Sequence, residues 1–317
     1  MRALRWLRPA MTVVLLGASA TSAREVPFAA LNGISGTNDN ASAVQACDLD
    51  GDGDLDVVFA MPPVDLVGWH ENLGGGTFAA SQPVGPGGGN TVWCADLDDD
   101  GDLDVLSGSW SDGRISWYEN DGGGTFPTAH DISFAEIGAT RVRAADLDGD
   151  DDLDVVTAAN LADTVAWYDN TGGGVFGNRH VLDSGVDSRW VATGDLDGDG
   201  DLDVVAGSTF SYLAFLENLG GASFAAPVWF GNTDVESLVL ADLDGDGDLD
   251  VLIAHPYGAW VAWYDNLGGG AFETRTVTSA VFSPRSAAAG DLDRDGDLDI
   301  VSASEGFDTV AWTEKIG

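Results

Sequence analysis

The sequence predicts an all-β fold, a β-propeller of six four-stranded blades closed by its own N-terminal strand. Three observations carry that prediction. An acidic motif recurs from Asp48, Asp96, Asp146, Asp195, Asp242 and Asp291, at steps of 48, 50, 49, 47 and 49 residues. A second motif keeps phase with it: WHENLGGGTF (Trp69–Phe78), WYENDGGGTF (Trp117–Phe126), WYDNTGGGVF (Trp167–Phe176), FLENLGGASF (Phe215–Phe224) and WYDNLGGGAF (Trp263–Phe272). The ends also complement each other. The chain stops at WTEKIG (Trp312–Gly317), short of the next Gly turn and its Phe, while Phe28 stands 20 residues before Asp48. The internal Phe-to-Asp distances are 18, 20, 19, 18 and 19. A linear solenoid caps its ends; a ring uses its first strand to complete its last blade.

Within a unit the pattern is all strand. In the third, TRVRAADLD is strand one, LDVVTAAN strand two, DTVAWYDN strand three, and VFGNRHVLD follows the Gly turn as strand four. Val and aromatic runs bounded by Gly, Asn and Asp are the strand signature. Strand three is apolar on both faces, Val165 and Trp167 on one and Ala166 and Tyr168 on the other, as a blade between two neighbours requires. Strand one is small (Ala144–Ala145, Thr193–Gly194, Ala287–Gly290), which suits the crowded strand nearest an axis. Four-stranded units of this length around an axis make a propeller. No amphipathic helix is evident.

The chain has 317 residues and a net charge of −40, with 53 Asp and Glu against 13 Lys and Arg. Its 44% hydrophobic content supports a core rather than a disordered acidic tail. The charge excludes nucleic acid and anionic membrane surfaces as partners, since both need a basic patch. Residues 1–23 read as a secretory signal: Arg2, Arg5 and Arg8, then the short apolar AMTVVLLGA (Ala10–Ala18), then cleavage after Ala20 or Ala23. No stretch reaches the roughly 20 apolar residues of a membrane span. Residues 24–317 are then one exported propeller domain, secreted, periplasmic or at the cell surface. Cys47 and Cys94 lie at offset positions of equivalent strands and so point to opposite faces. They read as two small buried residues, with a bridge between adjacent units as the alternative.

The acidic loop carries carboxylates at positions 1, 3, 5, 7 and 9. These are Asp48, Asp50, Asp52, Asp54 and Asp56; Asp96, Asp98, Asp100, Asp102 and Asp104; Asp146, Asp148, Asp150, Asp152 and Asp154; Asp195, Asp197, Asp199, Asp201 and Asp203; Asp242, Asp244, Asp246, Asp248 and Asp250; and Asp291, Asp293, Asp295, Asp297 and Asp299. Calcium takes six to eight oxygen ligands at about 2.3–2.6 Å, and a Gly at position 6 permits the sharp bend. Oxygen-only donors favour Ca²⁺ over zinc or copper. The six loops hold 32 Asp, so only −8 of the −40 lies elsewhere. An EF-hand begins the same way but needs Glu at position 12 and a following helix. Position 12 here is Phe59, Ser107, Thr157, Ala206, Ile253 or Ser302, and the continuation is strand.

On these residues the chain resembles the FG-GAP/VCBS repeats of integrin-α-like β-propellers, over essentially its whole mature length. The resemblance implies Ca²⁺ held by side chains at positions 1, 3, 5 and 9 and the carbonyl at 7, about one ion per loop and up to six. The third loop departs, with Asp151 where Gly belongs; Asp tolerates a left-handed backbone better than most residues, so the site is expected to survive in weakened form. Members of that family often have seven blades; six is a departure, and a seventh blade from another chain stays open.

Strand order puts the Asp loops and Gly turns on one face, and the two-to-three loops and the four-to-one connections on the other. Loops on a rigid scaffold are the usual place for recognition. The candidates there are Trp110, Arg114, Tyr212, Tyr257 and Trp260 on the two-to-three loops, with Phe210, His255 and Phe307. Arg189, Trp190 and Arg285, with Arg141 and Arg143, lie on the connections. Aromatics with Arg can stack on sugars or anchor a protein; the competing reading is blade packing or the lining of a channel mouth. His70, His130 and His180 are repeat positions, and no nucleophile elbow, zinc motif or phosphate loop occurs. The expectation is a non-enzymatic binding or adhesion module for an extracellular protein or glycan. The alternatives are a lectin-like carbohydrate binder, and then a polysaccharide lyase or other carbohydrate-active enzyme. Ligand identity and oligomeric state are not legible.

Overall fold

The computed structural model describes residues 33–34, 40–87, 89–184, 187–208, 212–231, 233–258, 260–278, 283–306 and 308–315. The expected signal peptide, the closing strand at Phe28, and Phe210 and Phe307 lie outside the described residues. Blade one is β1 (Ala43–Cys47), β2 (Asp56–Met61), β3 (Leu66–His70) and β4 (Gln82–Pro86); blade two is β5 (Thr91–Ala95), β6 (Asp104–Gly108), β7 (Ile115–Glu119) and β8 (Thr128–Ser133). Blade three is β9 (Ala139–Ala145), β10 (Asp154–Ala159), β11 (Thr164–Asn170) and β12 (Phe176–Ser184); blade four is β13 (Ser188–Gly194), β14 (Asp203–Ser208), β15 (Leu213–Leu216) and β16 (Val228–Phe230). Blade five is β17 (Ser237–Ala241), β18 (Asp250–His255), β19 (Trp260–Asn266) and β20 (Phe272–Thr278); blade six is β21 (Pro284–Gly290), β22 (Asp299–Ser304) and β23 (Thr309–Thr313). Each sheet is an antiparallel meander in chain order. Among the described residues a 3-10 turn at Pro62–Val64 is the only helical element, and no helix is long and apolar enough to cross a membrane.

The core lies between blades, in one apolar cluster at each junction from blade one to blade six. Side chains alternate along a strand, so the WY pair faces both ways. Trp117 packs with Val142 and Ala139 of blade three, whereas Tyr118 packs with Val58 and Val67 of blade one. Trp167 and Tyr168 repeat the division. His70, in the Tyr place of blade one, is buried and its Nδ1 lies 2.9 Å from the Ala79 carbonyl. His130 and His180 stack on Trp117 and Trp167. All three are scaffold positions, as their spacing predicts.

The sixth blade differs. Val310 and Trp312 of β23 are 75% and 49% exposed, where their counterparts Val165 and Trp167 are buried. No fourth strand pairs with β23 among the described residues.

The cysteine reading needs correction: Cys47 and Cys94 form a disulfide, with Cα atoms 6.6 Å apart. Their offset is what brings them together. The face of β1 toward blade two meets the opposite face of β5, so facing residues come from opposite faces of equivalent strands. The inner strands are also tied by hydrogen bonds one repeat apart. Ser42 Oγ donates to the Asn90 carbonyl at 2.8 Å, Asn90 Nδ2 to the Ala139 carbonyl at 3.0 Å, and Thr140 Oγ1 to the Arg189 carbonyl at 2.8 Å.

Candidate functional site

The acidic loops join the first and second strands of each blade. Their first carboxylate organises the turn. Asp48 Oδ1 accepts from the Gly51 amide at 2.9 Å and Oδ2 from the Gly53 amide at 3.0 Å. Asp195 and Asp242 repeat the pattern with Gly198 and Gly200, and with Gly245 and Gly247. The bend needs a left-handed backbone at position 4 as well as position 6, with φ 72° at Gly51 and 94° at Gly53. The sequence reading named only position 6. Asp151 takes φ 75° there, and its amide still reaches Asp146 Oδ2 at 3.1 Å, so the third loop keeps the turn. Asp99 and Arg294 are the non-Gly residues at position 4, with φ 61° and 69°.

The ninth carboxylate, predicted as a ligand, is also a structural buckle. Asp104 is fully buried; its Oδ2 accepts from the Leu97 amide and its Oδ1 from the Asn120 amide, both at 2.9 Å. Asp56, Asp154, Asp203 and Asp250 make the same two bonds. Burial pushes the Asp104 and Asp154 carboxyls up to about 7 and Asp203 up to about 6, against the opposing pull of those amides and with help from neighbouring loop carboxylates.

Sequence reasoning missed the Asn that ends each WYEN-type motif. Its amide feeds the ninth Asp, and its side chain bridges blades. Asn120, Asn170, Asn218 and Asn266 each donate Nδ2 to the carbonyl of the second loop residue one blade back (Leu49, Leu97, Leu147 and Leu196) at 2.7–2.9 Å. Each also donates to its own blade's eighth loop residue. The signal was an Asn shared by all five Gly-turn motifs, inside a repeat otherwise read for its aromatics. Lys315 occupies the Asn place of blade six and keeps only the amide bond, to Asp299 at 3.1 Å.

Carboxylate oxygens converge in each described cluster. In the first three loops positions 1, 3 and 9 (Asp48, Asp50, Asp56 and their equivalents) place one oxygen each within 4.8 Å of one another; in the fourth and fifth, positions 1, 3 and 5 do so (Asp195, Asp197, Asp199; Asp242, Asp244, Asp246). The seventh side chains leave the cluster. A Cβ added to Gly74 would stand 3.2 Å from Asp54 Oδ2, and one on Gly122 only 2.9 Å from Asp102 Oδ2, so the Gly turn gives way to them. What position 7 can offer an ion is therefore its carbonyl. Asp98 Oδ1 and Asp148 Oδ1 are buried and have no hydrogen-bond partner among the described residues. Orphaned carboxylate oxygens in an acidic, oxygen-only cluster are what a hard cation satisfies. The clusters fit a metal of that kind.

On the opposite face a cavity of about 400 Å³ opens where the inner strands begin. It is lined by Ser42, Asn90, Arg141, Arg189, Trp190 and Glu236 from successive blades, which makes it the mouth of the central channel. Of the predicted ligand residues, Trp110, Arg189 and Trp190 come together here. The others do not. Arg114 is held by Asp131 and Arg285 by Glu236 and Glu305. The Tyr212 hydroxyl bonds Ser188 at 3.1 Å, Trp260 sits edge-on to His255, and Tyr257 stands 76% exposed outside the cavity. Arg141, noted in the sequence but not ranked with the others, lies with its guanidinium carbon 3.6 Å from the Trp190 ring centre.

Comparison with known proteins agrees with this architecture. FG-GAP-like repeats match residues 48–107, 96–157, 146–206 and 242–302, and an FG-GAP repeat matches 189–226. No curated protein matches the chain. Among solved structures, an Agrocybe aegerita lectin, described for specific recognition of non-reducing terminal N-acetylglucosamine, is 22% identical with a TM-score of 0.58, over 82% of this chain and 74% of that one. BBS1N, solved in complex with ARL6DN, is 12% identical with a TM-score of 0.57, over 84% and 75%. Virginiamycin B lyase from Staphylococcus aureus is 10% identical with a TM-score of 0.53, over 89% and 86%. At these identities the likeness is one of fold alone. The repeats themselves decide the relationship: with matches that reach all six of its blades, the chain belongs to the FG-GAP repeat family.

Proposed function

We propose that this protein is an exported, calcium-braced propeller that binds an extracellular glycan at its channel mouth, as an adhesion or lectin-like module rather than an enzyme. One observation carries the reading. The largest side chains of the cavity face, Trp110 and Trp190, stand beside Arg141 and Arg189 in one concave site on a rigid frame. A concave site with a few convergent polar groups is the usual form of a small-ligand site. Export rests on residues 1–23, and the lectin-like fold neighbour supports a glycan over a protein partner.

Each acidic loop would hold one Ca²⁺, with Asp side chains at positions 1, 3, 5 and 9 and the carbonyl at 7. The ion supplies the positive charge that lets five carboxylates share one turn. The frame would then be stiff on the loop face while the other face recognises ligand. The test is a glycan array probed with and without calcium, with Trp110→Ala in parallel. Glycan binding that the substitution abolishes supports the reading; an array on which the calcium-loaded protein retains no glycan overturns it.

A further inference from the structure

Cations are scarce in this chain, and most of those described are spent on carboxylates. Arg114 pairs with Asp131, Arg179 with Glu136, Arg275 with Asp265 and Glu273, and Arg285 with Glu236 and Glu305. The two arginines of the channel mouth are different. Arg141 gives Nη1 to the carbonyl of its own neighbour Thr140 at 2.7 Å and lays its guanidinium on Trp190. Arg189 Nε is buried with no hydrogen-bond partner among the described residues. Neither makes an ion pair among the described residues, in a protein carrying −40. Two carboxylates do line the same cavity. Glu236 gives its direct ion pair to Arg285 at 2.9 Å and attracts Arg141 and Arg189 without pairing with them, and Asp65 Oδ1, on blade one, lies 3.5 Å from the Gly89 amide.

A buried guanidinium N–H without an acceptor is costly, and such groups in native structures call for a partner. The planar fork of Arg matches a carboxylate with two parallel hydrogen bonds. Trp110, 45% exposed at the rim, offers an open ring face of the kind that stacks on a sugar. We propose that the channel mouth is an acidic-sugar site, in which Arg189 and Arg141 take the carboxylate of a uronic-acid residue and Trp110 takes the ring. This rests on the glycan-binding reading above and adds the charge of the ligand to it. Burial, with repulsion from Arg143 and against the weaker attraction of Glu236, pulls the Arg141 guanidinium down to about 9.

The experiment is calorimetric titration of the calcium-loaded protein with three probes: a glucuronate-containing oligosaccharide, the same oligosaccharide with its carboxyls reduced to alcohols, and a glutamate-rich peptide. The acidic sugar is expected to bind at least tenfold more tightly than its reduced form. Arg189→Gln should erase that ratio and Arg189→Lys only narrow it, while Trp110→Ala weakens both sugars alike. Thermal melts confirm that the variants fold, and the lysine variant keeps the test decisive if the glutamine one does not. Equal binding of acidic and reduced sugar overturns the acidic-sugar site and leaves glycan binding standing. Binding of the peptide alone overturns it in favour of a protein partner, and no binding of any probe overturns it together with the glycan reading.

Discussion

Asn120 donates its side-chain Nδ2–H to the backbone carbonyl of Leu49, 71 residues earlier, at 2.8 Å. The same nitrogen reaches the Leu103 carbonyl at 2.9 Å, and the Asn120 amide feeds Asp104. One buried side chain thus joins the loop of one blade to the loop of the next. Asn120→Ala orphans the two carbonyls at once. We expect a loss of about 2–3 kcal/mol in urea unfolding, from the cost of unsatisfied buried acceptors. A loss below about 0.5 kcal/mol would show the staple to be incidental.

Calcium and structure can be separated within one loop. Asp98 has an oxygen with no partner among the described residues, whereas both oxygens of Asp104 already hold backbone amides. Asp98→Ala should therefore lower the melting temperature in calcium and leave it nearly unchanged in chelator. Asp104→Asn places an amide nitrogen against a backbone N–H and should destabilise in both conditions, by about 1–3 kcal/mol. If each loop binds with a dissociation constant near 0.1 mM, 10 mM calcium adds roughly 2.7 kcal/mol per site. An identical melting temperature with and without chelator would remove calcium from the account.

The third loop stores backbone strain. Asp151 occupies a left-handed position, φ 75°, that Gly fills in the other loops, and an L-residue there costs about 1–2 kcal/mol, less for Asp. Asp151→Gly is expected to raise stability by about 0.5–1 kcal/mol and to tighten calcium binding at that loop. The converse change, Gly53→Ala at φ 94°, should cost about 1–2 kcal/mol. Denaturant melts of the two variants with opposite signs would bear this out, and equal signs would not.

The Cys47–Cys94 bridge closes a segment of 47 residues across two blades. Reduction is expected to cost about 2–4 kcal/mol, chiefly by freeing the unfolded chain. Melting with and without reductant, with Cys47→Ala/Cys94→Ala as reference, measures it. A reductant-insensitive melt of the parent protein would contradict the bridge.

The exposed third strand of blade six invites the strand that the sequence assigns to the region of Phe28. Removal of residues 24–32 should lower the melting temperature and make Trp312, already 49% exposed, more accessible to a fluorescence quencher. Unchanged quenching and stability would mean that the N-terminal segment does not complete the blade.

What the sequence by itself determined is everything carried by local period. The six acidic turns, the strand pairs around them and the two-faced WY strands follow from alternation and turn chemistry, which are properties of consecutive residues. Only the tertiary structure decided what depends on two repeats meeting. The Asn120–Leu49 bond, the Cys47–Cys94 bridge, and the gathering of Trp110, Arg189 and Trp190 with Arg141 all join residues from different blades. Spacing shows that two positions are equivalent; it does not show which face of one blade looks at which face of the next. Arg114 and Arg285 read the same way in sequence as Arg189, and it was the placement of Asp131, Glu236 and Glu305 around them that set Arg189 apart.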